Sequence, residues 1–229
     1  MAMDDLGHHD LGTGVLAVWN DVAADAEPEF NDWYQQEHLA ERVAIQGFLR
    51  ARRWWNAGTS PRYFTFYEVR DVGVLASDLY LKALGNPSPR TRAIMPSFRN
   101  TVRSACRVAK RLRIADGGHA AVTRLVPHPG KEDALETWLV QDALPKIMEA
   151  PGVVAVQLWE SDQASTQTRA FESTLRPGGD QTIAWAVVIE STRADEGVAG
   201  DGILAQAKER GAGRVETPQR YALLCSRTP

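Results

Sequence analysis

Four ionisable side chains lie close together in one predicted helix: Glu37, His38, Glu41 and Arg42. Histidine ionises near neutral pH, so His38 is the best-placed general base or acid in the chain. We predict that His38 moves a proton and that Glu41 orients its ring, with Glu37 as the alternative for that second role. Glu37 and Arg42 are also predicted to contact a ligand. The structural alternative is a packed or solvated histidine on a helix flank.

Three arginines follow on the next predicted strand, Arg50, Arg52 and Arg53. A guanidinium that points into a cavity can hold a carboxylate, a phenolate or an enolate. We predict that Arg52 has this catalytic role. The alternative is a structural ion pair with one of the nearby carboxylates: Glu37, Glu41 or Glu68.

Aromatic side chains of the same half of the chain are candidates to line a slot for a flat, apolar ligand. The residues predicted to do so are Trp19, Tyr34, Trp54, Phe66 and Tyr67. The alternative is that they are core residues. Trp54 recurs later as Trp159, which favours a structural role for that position.

The chain repeats itself at the scale of a domain. The stretch from Trp33 to Leu39 returns from Trp138 to Leu144, and Gly47 returns as Gly152, at a constant offset of 105 residues. Such a period indicates a duplicated domain and not a solenoid repeat. The ionisable cluster does not return, because the positions of His38, Glu41 and Arg42 are taken by Ala143, Lys146 and Ile147. Both halves need a core, but only the first has kept the charges.

Each half has the pattern β-α-β-β-α-β, which is that of a ferredoxin-like unit. Such a unit covers only one face of its sheet with helices, so the other face needs a partner. We predict an α+β fold in which two tandem ferredoxin-like units pair their sheets into an intramolecular α+β barrel. The predicted parts are a flexible tail over 1–13, a site-bearing unit over 14–116 and a degenerate, structural unit over 119–229. Residues 86–98 and 161–180 are candidate lids.

Composition and missing motifs exclude several classes. The net charge of −3 and the absence of a basic run argue against a nucleic-acid partner. No apolar run approaches the roughly 20 residues that span a bilayer. Two cysteines far apart predict reduced thiols and a cytoplasmic protein. The sequence has no P-loop, GxGxxG, HExxH or zinc-type spacing, so we predict no cofactor and no metal.

The first half resembles the EthD-like branch of the dimeric α+β-barrel superfamily. The resemblance rests on Glu29-Phe30-Asn31-Asp32-Trp33-Tyr34, on Glu37-His38-Leu39, on Gly47-Phe48-Leu49-Arg50-Ala51-Arg52-Arg53, and on Asn86-Pro87 leading to Met95-Pro96. It implies a barrel of two ferredoxin-like units with a ligand cavity between sheet and helices. It also implies a choice among cofactor-free monooxygenases, muconolactone isomerases and haem-degrading enzymes.

The leading hypothesis is a cofactor-independent enzyme that uses proton transfer on a small hydrophobic or aromatic molecule, in a lyase or isomerase step. The first alternative is a cofactor-free monooxygenase with a phenolic or polycyclic substrate. A haem-handling protein, a non-catalytic binding or stress-responsive barrel and a purely structural protein are further alternatives. The duplication makes a monomer feasible, and exposed sheet edges would permit a homodimer.

Overall fold

The computed structural model describes residues 11–167 and 171–229, which form two compact units. The N-terminal unit comprises Leu11–Arg107, Asp162–Thr182 and Leu224–Pro229, and the C-terminal unit comprises Val108–Ser161 and Ile183–Leu223. The N-terminal unit thus includes two late segments that the repeat assigns to the second half. Leu175 and Cys225 of these segments pack against its core. Of the predicted tail, residues 1–10 lie outside the described part.

The N-terminal unit is an antiparallel sheet with helices packed against one face. Its first elements are β1 (Gly14–Val22), α1 (Glu27–Trp33), α2 (Leu39–Val43), β2 (Phe48–Trp55), β3 (Tyr63–Val69), α3 (Asp78–Gly85), α4 (Pro89–Ile94) and β4 (Phe98–Arg113). β3 pairs with both β1 and β2, and β1 also pairs with β4. The strand order is therefore β4-β1-β3-β2.

A π-helical turn, Tyr34–His38, joins α1 to α2 and carries the candidate histidine. Pro28 stands in the first turn of α1, where its missing N–H costs no hydrogen bond. Gly47 follows α2 with φ at 97°, which a side chain would strain, and the chain reverses there into β2. Single π-helical turns inside α-helices occur frequently at functional sites.

The sheet of the N-terminal unit is buried on both faces. Every residue of β3 is buried, and alternate residues of a strand point to opposite faces. Tyr63 and Tyr67 belong to the core against the helices. The neighbouring Phe64 points the other way and stacks on Trp19, with ring centroids 4.7 Å apart.

The chain continues through β5 (His119–Pro127), α5 (Glu132–Trp138), the π-helical turn Leu139–Ala143, α6 (Leu144–Met148) and β6 (Val153–Ser161). It then contributes α7 (Gln163–Thr166) and α8 (Phe171–Thr174) to the N-terminal unit. The remaining elements are β7 (Trp185–Ser191), α9 (Asp201–Ala205), β8 (Ala212–Val215) and β9 (Gln219–Arg227). β5 pairs antiparallel with β7, β8 and β9, and β6 pairs with β7.

The two units agree in local detail. The α5 helix, its π-helical turn and α6 begin and end 105 residues after α1, the first π-helical turn and α2. The strands follow the same order, since β6-β7-β5-β8 matches β2-β3-β1-β4. Within the described residues, no helix is long and apolar enough to cross a membrane. Both cysteines are free thiols.

Candidate functional site

A small cavity lies in the N-terminal unit beside the π-helical turn. Its volume is about 30 Å³, which is the share of liquid volume that one water molecule takes. The lining combines apolar side chains with tyrosines, arginines and one carboxylate: Leu16, Val18, Tyr34, His38, Arg42, Tyr67, Tyr80, Met95, Phe98, Thr101, Arg103, Glu172 and Arg176.

His38 is held in this wall by aromatic rings. Its ring centroid lies 4.2 Å from that of Trp33, 5.0 Å from Tyr34 and 6.5 Å from Tyr67. The residue is 5% exposed. Its Nδ1 atom has no hydrogen-bond partner in the part of the chain that the structure describes. A buried nitrogen without a partner is costly and indicates that a ligand or water can bind there.

Burial holds the pKa of His38 well below its usual value, and the charges of Arg42, Arg176 and Arg53 lower that pKa further. The imidazole is therefore neutral at physiological pH. A neutral imidazole can accept a proton, which is the state that a general base requires.

The low pKa of His38 predicts an acid-sensitive fold. At a pH below the ordinary histidine pKa of 6.5, His38 binds a proton in the unfolded chain but stays neutral in the folded chain. The free energy of unfolding therefore falls as the pH falls. One such proton contributes a slope of up to about 1.4 kcal/mol per pH unit. Urea denaturation of wild type and His38→Gln between pH 7.5 and 5 measures it. The wild type should lose stability faster; parallel curves would contradict the prediction.

A buried ion pair closes one side of the cavity. Arg42 Nη2 donates a short hydrogen bond to Glu172 of α8, and the two side chains are 5% and 7% exposed. Burial alone would lower the pKa of Arg42, but the charge of Glu172 raises it above the ordinary arginine value. Arg42 is four residues after His38, so one helix presents both the base and a cation to the cavity.

Two more arginines complete a cationic wall. Arg103 Nη2 donates to the Tyr80 hydroxyl at 3.0 Å. Arg176 Nη1 lies 3.9 Å from Glu172 Oε1, and Arg176 Nε donates to Asp180 Oδ1 at 2.8 Å. Together with Arg42, these two guanidinium groups favour the binding of a ligand with an anionic atom.

Two tyrosines of the cavity, Tyr34 and Tyr67, remain protonated. Burial raises the pKa of Tyr34, although the charge of Arg53 opposes the shift. Burial raises the pKa of Tyr67 well above its usual value, and Tyr34 adds to the shift. Arg53 itself sits with its guanidinium carbon 4.3 Å from the centre of the Tyr34 ring. Protonated phenols can donate hydrogen bonds to a bound oxygen atom.

A larger groove adjoins the cavity and shares Arg103, Glu172 and Arg176 with it. Its volume is about 560 Å³, within the range of small-molecule sites. The other lining residues come from α3 and from the segment after β6: Leu84, Thr166, Gln167, Ser173, Thr174, Gly179, Asp180 and Thr182. A flat aromatic molecule has room in the groove but not in the cavity alone.

The structure brings Tyr34, Arg42 and Tyr67 to His38 and places the two predicted glutamates elsewhere. Glu41 is exposed, and in the described part of the chain it makes no hydrogen bond or ion pair with His38. Glu37 accepts a short hydrogen bond from Ser88, the N-cap of α4. This hydrogen bond connects Glu37 to the start of α4, which belongs to the first candidate lid. The carboxylate that does meet the cavity is Glu172.

The predicted strand residues lie on the face of the sheet opposite the helices. Arg52 packs 4.4 Å above the ring of Trp54, and Trp54 stacks with Phe66 at 6.3 Å. Trp19 is on the same face. None of these four residues lines the cavity of His38. Strand alternation is the reason, because Arg53 and not Arg52 points toward the helices.

Nine residues of the cavity wall were not among the predicted site residues, and the polar ones are Tyr80, Thr101, Arg103, Glu172 and Arg176. One signal for two of them was present, since Glu172 and Arg176 are four residues apart in the second candidate lid. The ion pair between Arg42 and Glu172 spans 130 residues of sequence, which no local pattern reveals. Among residues 11–167 and 171–229, no cluster of His, Cys, Asp and Glu is arranged to hold a metal ion.

Comparisons with known proteins bear on the fold. By sequence, the chain matches no protein-family model and no curated protein. By structure, it resembles an anthrone oxidase-like protein at a TM-score of 0.63 and 12% identity, over 100% of this chain and 95% of the other. The chain has an α+β-barrel fold.

Two candidate monooxygenases share that fold. The protein from Fusobacterium nucleatum gives a TM-score of 0.55 at 12% identity, over 95% of both chains. The protein from Lactobacillus acidophilus gives a TM-score of 0.54 at 9% identity, over 94% of this chain and 96% of the other. The likeness shows the fold alone, because identities this low do not extend to a family or an activity.

Proposed function

We propose that the protein is a cofactor-independent monooxygenase that oxidises an enolisable phenolic or polycyclic substrate. The observation that carries the proposal is a buried, neutral His38 beside Arg42 in a tyrosine-lined cavity. Such a site can remove a proton and stabilise the anion that results. The names of the anthrone oxidase-like and monooxygenase neighbours favour this reaction over the lyase or isomerase step of the leading hypothesis.

The chemistry needs no external reductant. His38 accepts a proton from an acidic C–H group of the substrate, and the negative charge moves onto the conjugated oxygen. The carbanion then passes electrons to molecular oxygen and binds one of its atoms. Loss of water converts the methylene group into a carbonyl group, so that CH₂ and O₂ become C=O and H₂O. One oxygen atom enters the product and the other leaves as water.

The surroundings of His38 suit this sequence of steps. Burial and the nearby guanidinium groups lower the basicity of His38, but the same guanidinium groups stabilise the enolate or phenolate oxygen and so offset that loss. The tyrosine hydroxyl groups are further donors to that oxygen. Exclusion of bulk water strengthens each of these interactions and protects the reactive anion.

We further propose that the chain arose by duplication of one ferredoxin-like unit and is related to EthD-like proteins. The support is the constant offset of 105 residues, which extends to the bounds of the π-helical turn. In the C-terminal unit, the positions of Tyr34, His38 and Arg42 are occupied by Leu139, Ala143 and Ile147, which are buried in its apolar core. The C-terminal unit thus has apolar core residues at the positions where the N-terminal unit has polar groups.

Oxygen stoichiometry tests the proposed reaction. With anthrone as the probe, we expect the protein to consume one molecule of O₂ for each anthraquinone formed, above the uncatalysed rate. Labelled ¹⁸O₂ should place one labelled atom in each product molecule. Turnover that continues under nitrogen would instead favour a lyase or isomerase. Binding of anthrone with no product in air would favour a non-catalytic binding protein.

A further inference from the structure

The pair formed by Arg42 and Glu172 stands where a ligand would be expected to bind. Glu172 comes from α8, a helix of four residues, and its carboxylate reaches across the cavity wall to the helix that carries His38. Both residues line the cavity, and Glu172 also lines the adjoining groove. The carboxylate therefore lies between the space that holds the base and the space that can hold a substrate.

The balance of charge around Glu172 leaves the arginines incompletely neutralised. Among the residues that the structure describes, three guanidinium groups, from Arg42, Arg103 and Arg176, line the cavity with one carboxylate, that of Glu172. Asp180 adds a second carboxylate on the groove side, where it pairs with Arg176. Removing a buried carboxylate from such a group is costly unless another anion replaces it.

We propose that Arg42, Arg103 and Arg176 form the binding site for an anionic oxygen of an aromatic substrate, a phenolate or a carboxylate, and that Glu172 occupies this site in the free protein. Substrate binding then exchanges one anion for another, and Arg42 is never left unpaired. Release of Glu172 joins the cavity to the groove and brings the aromatic ring to His38. The proposal rests on the proposed function for the role of the site, but it is tested by binding alone.

The test compares two probes of equal ring size, 2-naphthoate and the neutral 2-naphthalenemethanol, by calorimetry under nitrogen. Glu172→Gln removes the competing charge and keeps the shape of the side chain. We expect this variant to bind 2-naphthoate at least tenfold more tightly than wild type does, with no comparable gain for the alcohol. Glu29→Gln is the control, because it removes the same charge from an exposed ion pair with Arg90; its affinities should match those of wild type.

A second variant identifies the cation and guards against misfolding. Arg42→Met with Glu172→Met replaces both charges by apolar side chains, which buried sites often tolerate. It should bind 2-naphthoate at least tenfold more weakly than Glu172→Gln does. Three results would each overturn the proposal: no gain in Glu172→Gln, an equal gain for the alcohol, or tight binding of 2-naphthoate by the double variant.

The outcome is separable from that of the proposed reaction. A protein that fails to consume oxygen with anthrone but shows the charge-selective gain has an anion site and a different chemistry. A protein that oxidises anthrone without the gain has the proposed chemistry and another mode of substrate binding.

Discussion

Replacing His38 with glutamine is expected to lower the rate of anthrone oxidation by about 10²–10⁴-fold, the usual contribution of a positioned general base. Glutamine fills similar space and offers hydrogen bonds, but it cannot take up a proton at neutral pH. Because His38 acts in the proton-transfer step, the loss should fall on kcat more than on KM. Initial rates of oxygen uptake with the purified variant measure the effect.

The matched control is His128→Gln, at an exposed position of the C-terminal unit. This variant removes an imidazole from a residue that does not line the candidate site. We expect it to oxidise anthrone at the wild-type rate. A folded His38→Gln protein that retains full turnover would remove the proposed mechanism. The circular dichroism spectra of both variants establish that they are folded.

Replacing Arg42 with methionine is expected to destabilise the protein by about 3–5 kcal/mol, the usual result of removing one partner of a buried ion pair. The cause is Glu172, whose carboxylate is 7% exposed and would lose its closest counter-charge. Arg176 offsets only part of that loss, since its Nη1 atom is 3.9 Å from Glu172 Oε1 and its Nε atom donates to Asp180. The midpoint of urea denaturation at pH 7 measures the loss.

Two comparisons interpret that loss. The double variant Arg42→Met/Glu172→Met should recover most of the stability, because neither charge is then buried alone. Arg90→Met breaks exposed ion pairs with Glu29 and Asp32, which contribute little in water, and should cost much less. If Arg42→Met lowers the free energy of unfolding no more than Arg90→Met does, the buried ion pair does not contribute to stability and the prediction is wrong.

The helix that carries the candidate site follows directly from local sequence signals. Pro28 marks its beginning and Gly47 its end, and the apolar spacing between them places Trp33 and Tyr34 in the core. The same reasoning identifies His38 and Arg42 as the ionisable residues of interest. The π-helical turn was not predicted, since it depends on one backbone hydrogen-bond shift that side-chain periodicity does not report.

The sequence pattern could not show which face of β2 meets the helices. Alternation separates Arg52 from Arg53, but both are buried, with exposures of 1% and 0%. When both faces of a sheet are covered, hydrophobicity cannot say which of them meets the helices. The prediction of Arg52 as the catalytic arginine was thus a choice between two equivalent faces. In the structure, the helices cover the face that carries Arg53.

The sequence by itself determined the helix with Tyr34, His38 and Arg42, the repeat at a constant offset of 105 residues, and the absence of those polar groups at the matching positions of the second half. These features depend on residues that are neighbours along the chain or related by a constant offset. Only the tertiary structure decided that Glu172 and Arg176, and not Glu41 and Arg52, share the cavity with His38. The reason is physical: an ion pair between residues far apart in sequence is created by packing, and no local periodicity encodes it.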